Sequence, residues 1–416
     1  GAFCSSLRGS SMSAQQKKAA AVCGAAVGLA VAAYLAYTRK KEKPSAGCKH
    51  PHKHLQYPRQ YVAKRGTPPT IDGDVFKAAW NKVPWSELFS EITGTPSTHS
   101  PGPTKAQGTR MKMMWDDEYL YVAALLDYDE GDELVAKFEK RNSPIFHTDS
   151  DFEVFIDPVG SCHGYKELEM NAINTVWNLM LDRPYGDGGG EFSGRVAKEG
   201  ESKYWEVGKQ RTAARILRGA LDDPSKPSQW CCEIALAHSD TLSTLGPVPN
   251  PKVGSAWRIN FSRVEKKGKI NWVWSPQIVW TPKEKKYRGH VAMHLPDAWG
   301  YVVFADETCH LSDGSHADSW VDPSWIARHM AMCIYYAAHA FSKERGRPAK
   351  STTELLDEGL LPDDILGCEI SLTTESFQSP EHVGFIAKAI HEGWEASVHK
   401  NRFVEVRHVG CLQNSF

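Results

Sequence analysis

The sequence has no excess of charge of either sign. Its 416 residues include 49 Lys or Arg and 50 Asp or Glu, which gives a net charge of −1. Proteins that bind nucleic acid through a basic surface need a clear positive excess. The composition therefore argues against a nucleic-acid partner, and the length allows two or three domains.

Paired cysteines and repeated segments are also lacking. None of the ten cysteines belongs to a CxxC pair, and the adjacent Cys231 and Cys232 would lie on opposite faces of a strand. This spacing fits neither a zinc site nor a disulfide scaffold. No internal repeat is evident, which argues against a solenoid or a propeller.

One long uncharged run is present near the beginning, "AAAVCGAAVGLAVAAYLAY" at 19–37. At about 1.5 Å per residue, a helix of this length just spans a bilayer core. We expect a single-pass transmembrane helix after a leader at 1–18. The basic flank is heavier on the C-terminal side, at 39–43, which places the soluble part in the cytosol. Secretion, with this run as a signal, is the alternative.

Residues 38–65 follow as a basic tether with nine Lys or Arg and one acid. Such a segment suits a solvated linker near anionic headgroups. The tether includes "HPHKH" at 50–54, which can bind a metal or respond to pH.

Short strands dominate from Gly66 to Asp306. "RMKMMWDDEYLYVAALLDYDE" predicts two strands around a turn at 116–118, and "YKELEMNAINTVWNLML" predicts two more around 172–174. Strands at this spacing, with few helices, are typical of an antiparallel β-sandwich. We therefore assign 66–306 to one β-sandwich domain in a mainly β protein.

The character changes at 320–416. "DPSWIARHMAMCIYYAAHAFSKERG" predicts an amphipathic helix that Asp322 can cap, with Pro323 at its first position and Gly346 beyond its end. A second helix at 351–358 and two or three strands follow. We expect a small α+β appendage packed on the sandwich.

The stretch "DSDFEVFIDPVG" at 149–160 has the period of a strand. The acids argue against a helix-loop-helix calcium site, because they fall on a strand and not in a 12-residue loop. We expect a half-buried strand whose open face carries Glu153. The predicted core face holds Phe152, Val154 and Ile156, and the other face holds Asp151, Glu153, Phe155 and Asp157.

Seven motifs in this order resemble the family 9 carbohydrate-binding modules, in the long variant found in bacterial proteins. They are "TIDGDVFKAAW", "WDDEYLYVAALLDYD", "DFEVFIDPVG", "YKELEMNAINTVWNLML", "WRINFSRVE", "NWVWSP" and "HLPDAWGYVVF". The resemblance covers roughly 66–306. It implies a DOMON-like, jelly-roll-like sandwich that binds an oligo- or polysaccharide without catalysis, with a link to xylan or other polysaccharide catabolism.

The resemblance also implies ligand residues. The family's strand Glu falls on Glu153 and its Asn on Asn171, whereas the position of its Arg holds Glu169. The two Trp residues that clamp the sugar fall on Phe146-His147 and Met293-His294, so neither is kept. His147 is retained as a candidate, and other aromatic residues can replace the clamp: Trp177, Trp272, Trp274 and Trp280.

Asp149 and Asp151 precede this strand, and their carboxylates suit a structural calcium ion. A solvated acidic loop is the alternative.

Three other functions remain open. Some DOMON-like relatives hold a b-type haem, which Met/His ligation from Met111, Met113, Met293 or His294 would suit. A glycoside hydrolase would need a carboxylate pair such as Glu153 and Glu169. A scaffold that has lost its sugar site is the third.

Overall fold

A computed structural model describes residues 55–98, 100–242, 250–376 and 383–409. The predicted leader, the transmembrane helix at 19–37 and the first part of the tether lie outside these residues. Within the described ranges, no helix is both long enough and apolar enough to cross a membrane.

The described chain is mainly β, as the sequence predicts. Thirteen strands form one large sheet, and β13 and β14 form a separate hairpin. The strands up to residue 305 are β1 Gln60–Arg65, β2 Ser90–Glu91, β3 Thr109–Trp115, β4 Tyr119–Asp127, β5 Asp151–Asp157, β6 Tyr165–Asn171, β7 Val176–Leu181, β8 Glu191–Phe192, β9 Arg211–Arg218, β10 Gln229–Ala237, β11 Ala256–Glu265, β12 Ile270–Val273, β13 Ile278–Thr281, β14 Lys286–Gly289 and β15 Gly300–Ala305.

The large sheet is continuous and curled; it is not divided into the two separate sheets of the predicted sandwich. Its order is β8-β7-β6-β5-β11-β15-β1-β3-β4-β10-β9; β12 also pairs with β11, and β2 pairs with β12. Most neighbours are antiparallel, but β1 runs parallel to both β15 and β3. Because β1 pairs on both sides, it joins the two halves that would otherwise be separate layers.

The tether prediction is wrong for 60–65, which form β1. Tyr61 and Ala63 alternate with more exposed neighbours and point into the core. The Tyr61 hydroxyl donates to the Pro84 carbonyl at 2.6 Å and accepts from the Met113 amide at 3.0 Å. The basic residues around this short alternation hide it in the sequence.

The curl brings one face of both halves around a common core. β3, β4 and β10 contribute Met113, Val122 and Ile234 to it, and β5 and β11 contribute Val154 and Phe261. This is the face that the alternation of β5 predicts to be buried.

The opposite face of the sheet is covered as well. On the β4–β10 side, residues 71–85 lie over it with Trp80 at the centre, and on the β5–β7 side Phe146, Met293 and Trp299 cover it. Every residue of β5 is consequently buried. The expected open face on β5 is therefore wrong, because segments remote in sequence close it.

The C-terminal part combines helices with a four-stranded sheet. After a short α1 at His238–Leu242, the long α2 spans Trp325–Arg345 and α3 spans Thr352–Asp357. The helix α2 starts two residues after the predicted Pro323, because the Asp322 carboxylate accepts from the Ser324 amide at 2.9 Å in a turn before it. The antiparallel strands are β16 Glu369–Ser376, β17 Val383–His391, β18 Trp394–His399 and β19 Val404–His408.

Helix α2 packs between this small sheet and the curled sheet. Its buried stripe includes Met330, Ile334 and Phe341, and the same cluster contains Trp280 and Tyr301 from the curled-sheet region. The two parts thus share a hydrophobic core.

Candidate functional site

A row of polar side chains crosses four strands on the covered face of the curled sheet. Ser262 on β11 faces Glu153 on β5, Glu153 faces Glu169 on β6, and Glu169 faces Trp177 on β7. Asp151 lies on the same face, two residues before Glu153. Carboxylate oxygens of Asp151, Glu153 and Glu169 lie within 4.8 Å of one another, and we call these three residues the acidic triad.

The triad is buried and has no counter-charge. Asp151, Glu153 and Glu169 are 0%, 3% and 2% exposed. Within the described ranges, no Lys, Arg or His nitrogen forms an ion pair with them. Three carboxylates in this setting cannot all be ionised without a compensating positive charge.

Burial and mutual repulsion act on these groups in the same direction. Burial raises the pKa of Glu153 to about 7. Burial, and next the charge of Glu153, raise the pKa values of Asp151 and Glu169 well above their ordinary range. The triad therefore favours protons or a bound cation over three free negative charges.

The lid over the triad is aromatic. Phe146 stacks on Trp177 with ring centroids 5.7 Å apart and planes 13° apart. The Arg195 guanidinium lies 5.0 Å from the Trp177 ring and pairs with Glu191. Glu153, Glu169 and Trp177 thus lie side by side on adjacent strands, but a sugar cannot reach them while this lid is closed.

Asn171 has no free hydrogen-bonding group in the described structure. Its amide nitrogen donates to the Phe138 carbonyl at 2.9 Å and to the Asp149 carboxylate at 2.8 Å. Its side-chain oxygen accepts from the amides of Ile173 and Thr175. Asn171 therefore holds the β6–β7 turn to the preceding loop, and no donor or acceptor is left for a ligand.

Asp149 has a similar structural role. Its two carboxylate oxygens accept from the amides of Lys137 and Phe138 at 2.9 and 3.1 Å, in addition to Asn171. The predicted calcium pair is thereby divided, because Asp149 faces this loop whereas Asp151 belongs to the triad.

Trp274 belongs to the main core and not to a surface. It is 0% exposed, and its ring packs edge-on against Phe261 with centroids 5.9 Å apart. It is too deep for sugar stacking, as is usual for Trp in a β-sandwich core.

His147 is exposed and borders an open cleft of about 860 Å³, which we call the His147 cleft. The cleft lies where β11 and β12 meet the loops after β4 and before β5. Its walls mix charged, hydroxyl, amide and apolar groups, the range that binds sugar hydroxyls and ring faces. They are formed by Gln107, Tyr128, Gly131, Asp132, Glu133, Val135, Lys137, His147, Thr148, Ser150, Arg263, Glu265, Lys266, Lys267, Ile270 and Trp272.

A rigid network forms the floor of the cleft. The Arg263 guanidinium lies 4.1 Å from the Tyr128 ring centroid and 4.9 Å from that of Trp272. It donates to Glu265 at 2.7 Å, and Glu265 also accepts from the hydroxyls of Tyr128 and Ser150 at 2.5 and 2.6 Å. These internal contacts hold the floor of the cleft in one arrangement beneath the exposed groups of its rim.

The role of Arg263 and Glu265 in this floor was not predicted from the sequence. Arg263 and Glu265 lie on β11 at the end of "WRINFSRVE", where they look like the exposed end of a strand. Burying charged residues on that strand requires partners from β4 and from the loop before β5, and one sequence does not show which strands become neighbours.

The candidate haem ligands and the candidate hydrolase carboxylates lie in different parts of the structure. Met111 and Met113 lie in the main core, whereas Met293 lies in the cluster on the opposite face, and His294 bonds the Tyr165 hydroxyl at 2.9 Å. The structure therefore does not bring the proposed haem ligands together. The Glu153–Glu169 pair required for a hydrolase lies under the aromatic lid.

Residues 71–198 match the family model described as carbohydrate family 9 binding domain-like. This segment runs from the cover over β4 and β10 to just beyond β8, and the match supports a carbohydrate-binding-module fold in this part of the chain. No curated protein matches the sequence.

Solved structures with some similarity have related descriptions. A candidate carbohydrate-binding protein from Bacteroides uniformis is 13% identical, with a TM-score of 0.43 over 59% of this chain and 99% of that one. A family 9 carbohydrate-binding module from Caldicellulosiruptor kristjanssonii is 15% identical in its cellotriose complex, with a TM-score of 0.35 over 64% of this chain and 98% of that one. The glucose complex of a module from the same organism is 16% identical, with a TM-score of 0.35 over 61% of this chain and 100% of that one.

Proposed function

We propose that this protein is a non-catalytic carbohydrate-binding protein whose sugar site is the His147 cleft. The observation that carries the proposal is the family-model match over 71–198. This segment supplies most of the loops around the cleft, including His147, Lys137 and Ser150.

The geometry favours the His147 cleft over the triad face. The cleft is open to solvent and has exposed Lys137, His147 and Lys267 on its rim. Ammonium, imidazole and carboxylate groups can donate to and accept from sugar hydroxyls. The acidic triad, by contrast, lies under the lid of Phe146 and Trp177, where a sugar has no access while the lid is closed.

Calorimetric titration of the full chain with cellotriose, glucose and xylo-oligosaccharides tests the proposal. We expect saturable binding that is weakened about tenfold or more by His147→Ala and by Lys137→Ala, since each removes a contact to a hydroxyl group. Lys226→Ala is the matched control, because Lys226 is also exposed but lies outside the cleft. Absence of heat with every sugar, or equal weakening by the control, would count against this function.

Attachment to a membrane through 19–37 and a role in xylan or other polysaccharide catabolism are part of the same proposal. The basic residues that flank the apolar run support a cytosolic position for the soluble part. Fractionation of cells expressing the full chain, followed by protease accessibility of the soluble part on either side of the membrane, tests this orientation.

A further inference from the structure

We infer that the acidic triad binds one divalent cation that prefers oxygen ligands, such as Ca²⁺, Mg²⁺ or Mn²⁺. The site is Asp151, Glu153 and Glu169, with the Ser262 hydroxyl as a further ligand. It is separate from the His147 cleft, and its function does not depend on sugar binding.

Carboxylate oxygens converge at the triad. Three carboxylates from two adjacent strands bring ligand atoms within 4.8 Å of one another. They supply up to six oxygens if all are bidentate, and Ca²⁺ takes about six to eight. No sulfur or imidazole ligand belongs to the group, which favours hard cations over zinc or copper.

Several buried oxygens at the triad lack a well-formed hydrogen bond. In the described structure, one carboxylate oxygen of Asp151 and both of Glu169 are buried without a hydrogen bond of good geometry, and the Ser262 hydroxyl lies beside the Glu153 carboxylate. Leaving such groups unsatisfied costs about 1–3 kcal/mol each, and more for charged ones. One cation at the centre of the triad would coordinate these atoms together.

Other buried acids in the described chain have specific partners. Glu233 is 0% exposed and accepts from the Trp80 indole and from Lys77, and Glu265 pairs with Arg263. Each of these carboxylates has a cationic side chain as its partner. Asp149 and Asp157 are also buried, and both accept from backbone amides. The triad brings together three buried carboxylates that have no cationic partner within the described ranges.

The closed lid implies that the ion enters during folding or when the lid opens, as is common where metal binding and folding are coupled. The test therefore refolds the full chain from denaturant in chelator alone and in about 1 mM Ca²⁺, Mg²⁺ or Mn²⁺. Metal content per chain is then measured after desalting, together with the Tm. We expect about one ion per chain for at least one metal, and a Tm about 5 °C or more higher than in chelator.

Isosteric variants assign the ion to the triad. Glu169→Gln and Glu153→Gln should lower the metal affinity at least about tenfold and make the Tm independent of the metal. Glu199→Gln, which changes an exposed carboxylate in the loop after β8, should behave as the wild type. The Gln variants also remove charge repulsion, so we expect both to fold in chelator.

Terbium gives a second readout that does not depend on stability. Trp177 is the cross-strand neighbour of Glu169, so excitation of its indole should sensitise a bound Tb³⁺ ion. Trp177→Phe should reduce this emission without reducing the terbium content. A wild-type chain that retains no ion after refolding in any of the metals, or an ion whose affinity is unchanged in both Gln variants, would overturn the inference.

Discussion

At the scale of single residues, this chain satisfies most of its buried charges with specific partners. Arg402 is the clearest case, because it is 6% exposed and bonds two carboxylates and a hydroxyl. Its guanidinium donates to Asp187 at 2.7 Å, to Asp297 at 3.0 Å and to the Tyr336 hydroxyl at 2.6 Å. These contacts tie the small C-terminal sheet to loops of the curled-sheet region.

Arg402→Ala should therefore destabilise the protein strongly. Removing one partner of a buried ion pair costs about 3–5 kcal/mol, because the remaining charges are left buried and unpaired. Urea unfolding of the variant measures the change. Arg345→Ala is the matched control, since Arg345 pairs with Glu358 at the surface, where such pairs contribute about 0–1 kcal/mol. Equal effects of the two substitutions would contradict the role given to Arg402.

The burial of Lys112 should make the stability of the protein depend on pH. Lys112 is 3% exposed and lies 4.2 Å from the Trp85 ring, and burial lowers its pKa to about 7. Between about pH 7 and the ordinary lysine pKa near 10.4, the unfolded chain holds a proton that the folded chain has released. The contribution of Lys112 to the free energy of unfolding should therefore rise with pH across this window, by about 1.4 kcal/mol per unit of pKa shift at most.

Comparison with Lys112→Met isolates this effect from other titrations. The free energy of unfolding of the variant should exceed that of the wild type most near pH 7. This difference should shrink towards pH 10. The measurement is urea unfolding of both proteins at each pH. A constant difference would show that Lys112 keeps its proton in the folded state.

At the scale of elements, the sequence predicts strands better than it predicts what covers them. The strands β3, β4, β6 and β7 lie where alternation and turn residues place them. The closed face of β5 could not be predicted, because Phe146 and Met293 reach it from different loops. The inner position of β1 was also missed, since its pairing with both β15 and β3 is purely long-range.

The close packing of β15 and of the residue before β1 against Trp274 depends on a glycine. A Cβ at Gly300 would lie 2.2 Å from the Trp274 ring and 2.8 Å from the Arg59 carbonyl oxygen. Gly300→Ala must displace the ring or the strand, and we expect a loss of stability of about 1–3 kcal/mol or more. Thermal unfolding measures it, with Gly208→Ala as the control because nothing lies within 4 Å of a Cβ there. A neutral Gly300→Ala would mean that this packing is looser than described.

At the scale of the whole molecule, the candidate site shows the same division between local and long-range information. The motifs predicted a carbohydrate-binding-module fold, and the family-model match over 71–198 supports it. Of the candidate ligand residues, His147 borders the open cleft, whereas the side chain of Asn171 bonds a neighbouring loop and Trp274 lies in the main core. The position of Arg263 and Glu265 in the cleft floor could not be predicted from the sequence, because it depends on how β4, β11 and the loop before β5 come together.

The whole-molecule account also separates two sites with different chemistry. The His147 cleft is open and has a preorganised polar floor, whereas the acidic triad is closed and has unpartnered oxygens. The two sites are close together in the sheet. Asp151 of the triad directly follows Ser150, which forms part of the cleft wall, and both residues are buried.

The central claim, sugar binding in the His147 cleft, is tested most directly by NMR of the histidine ring signals during titration with cellotriose and xylo-oligosaccharides. The His147 signals can be assigned by their loss in His147→Gln. The account predicts that they shift saturably with at least one sugar, while those of His310 and His316, which lie outside the cleft, do not move. Histidine signals that stay unchanged with every sugar, or that shift only outside the cleft, would contradict it.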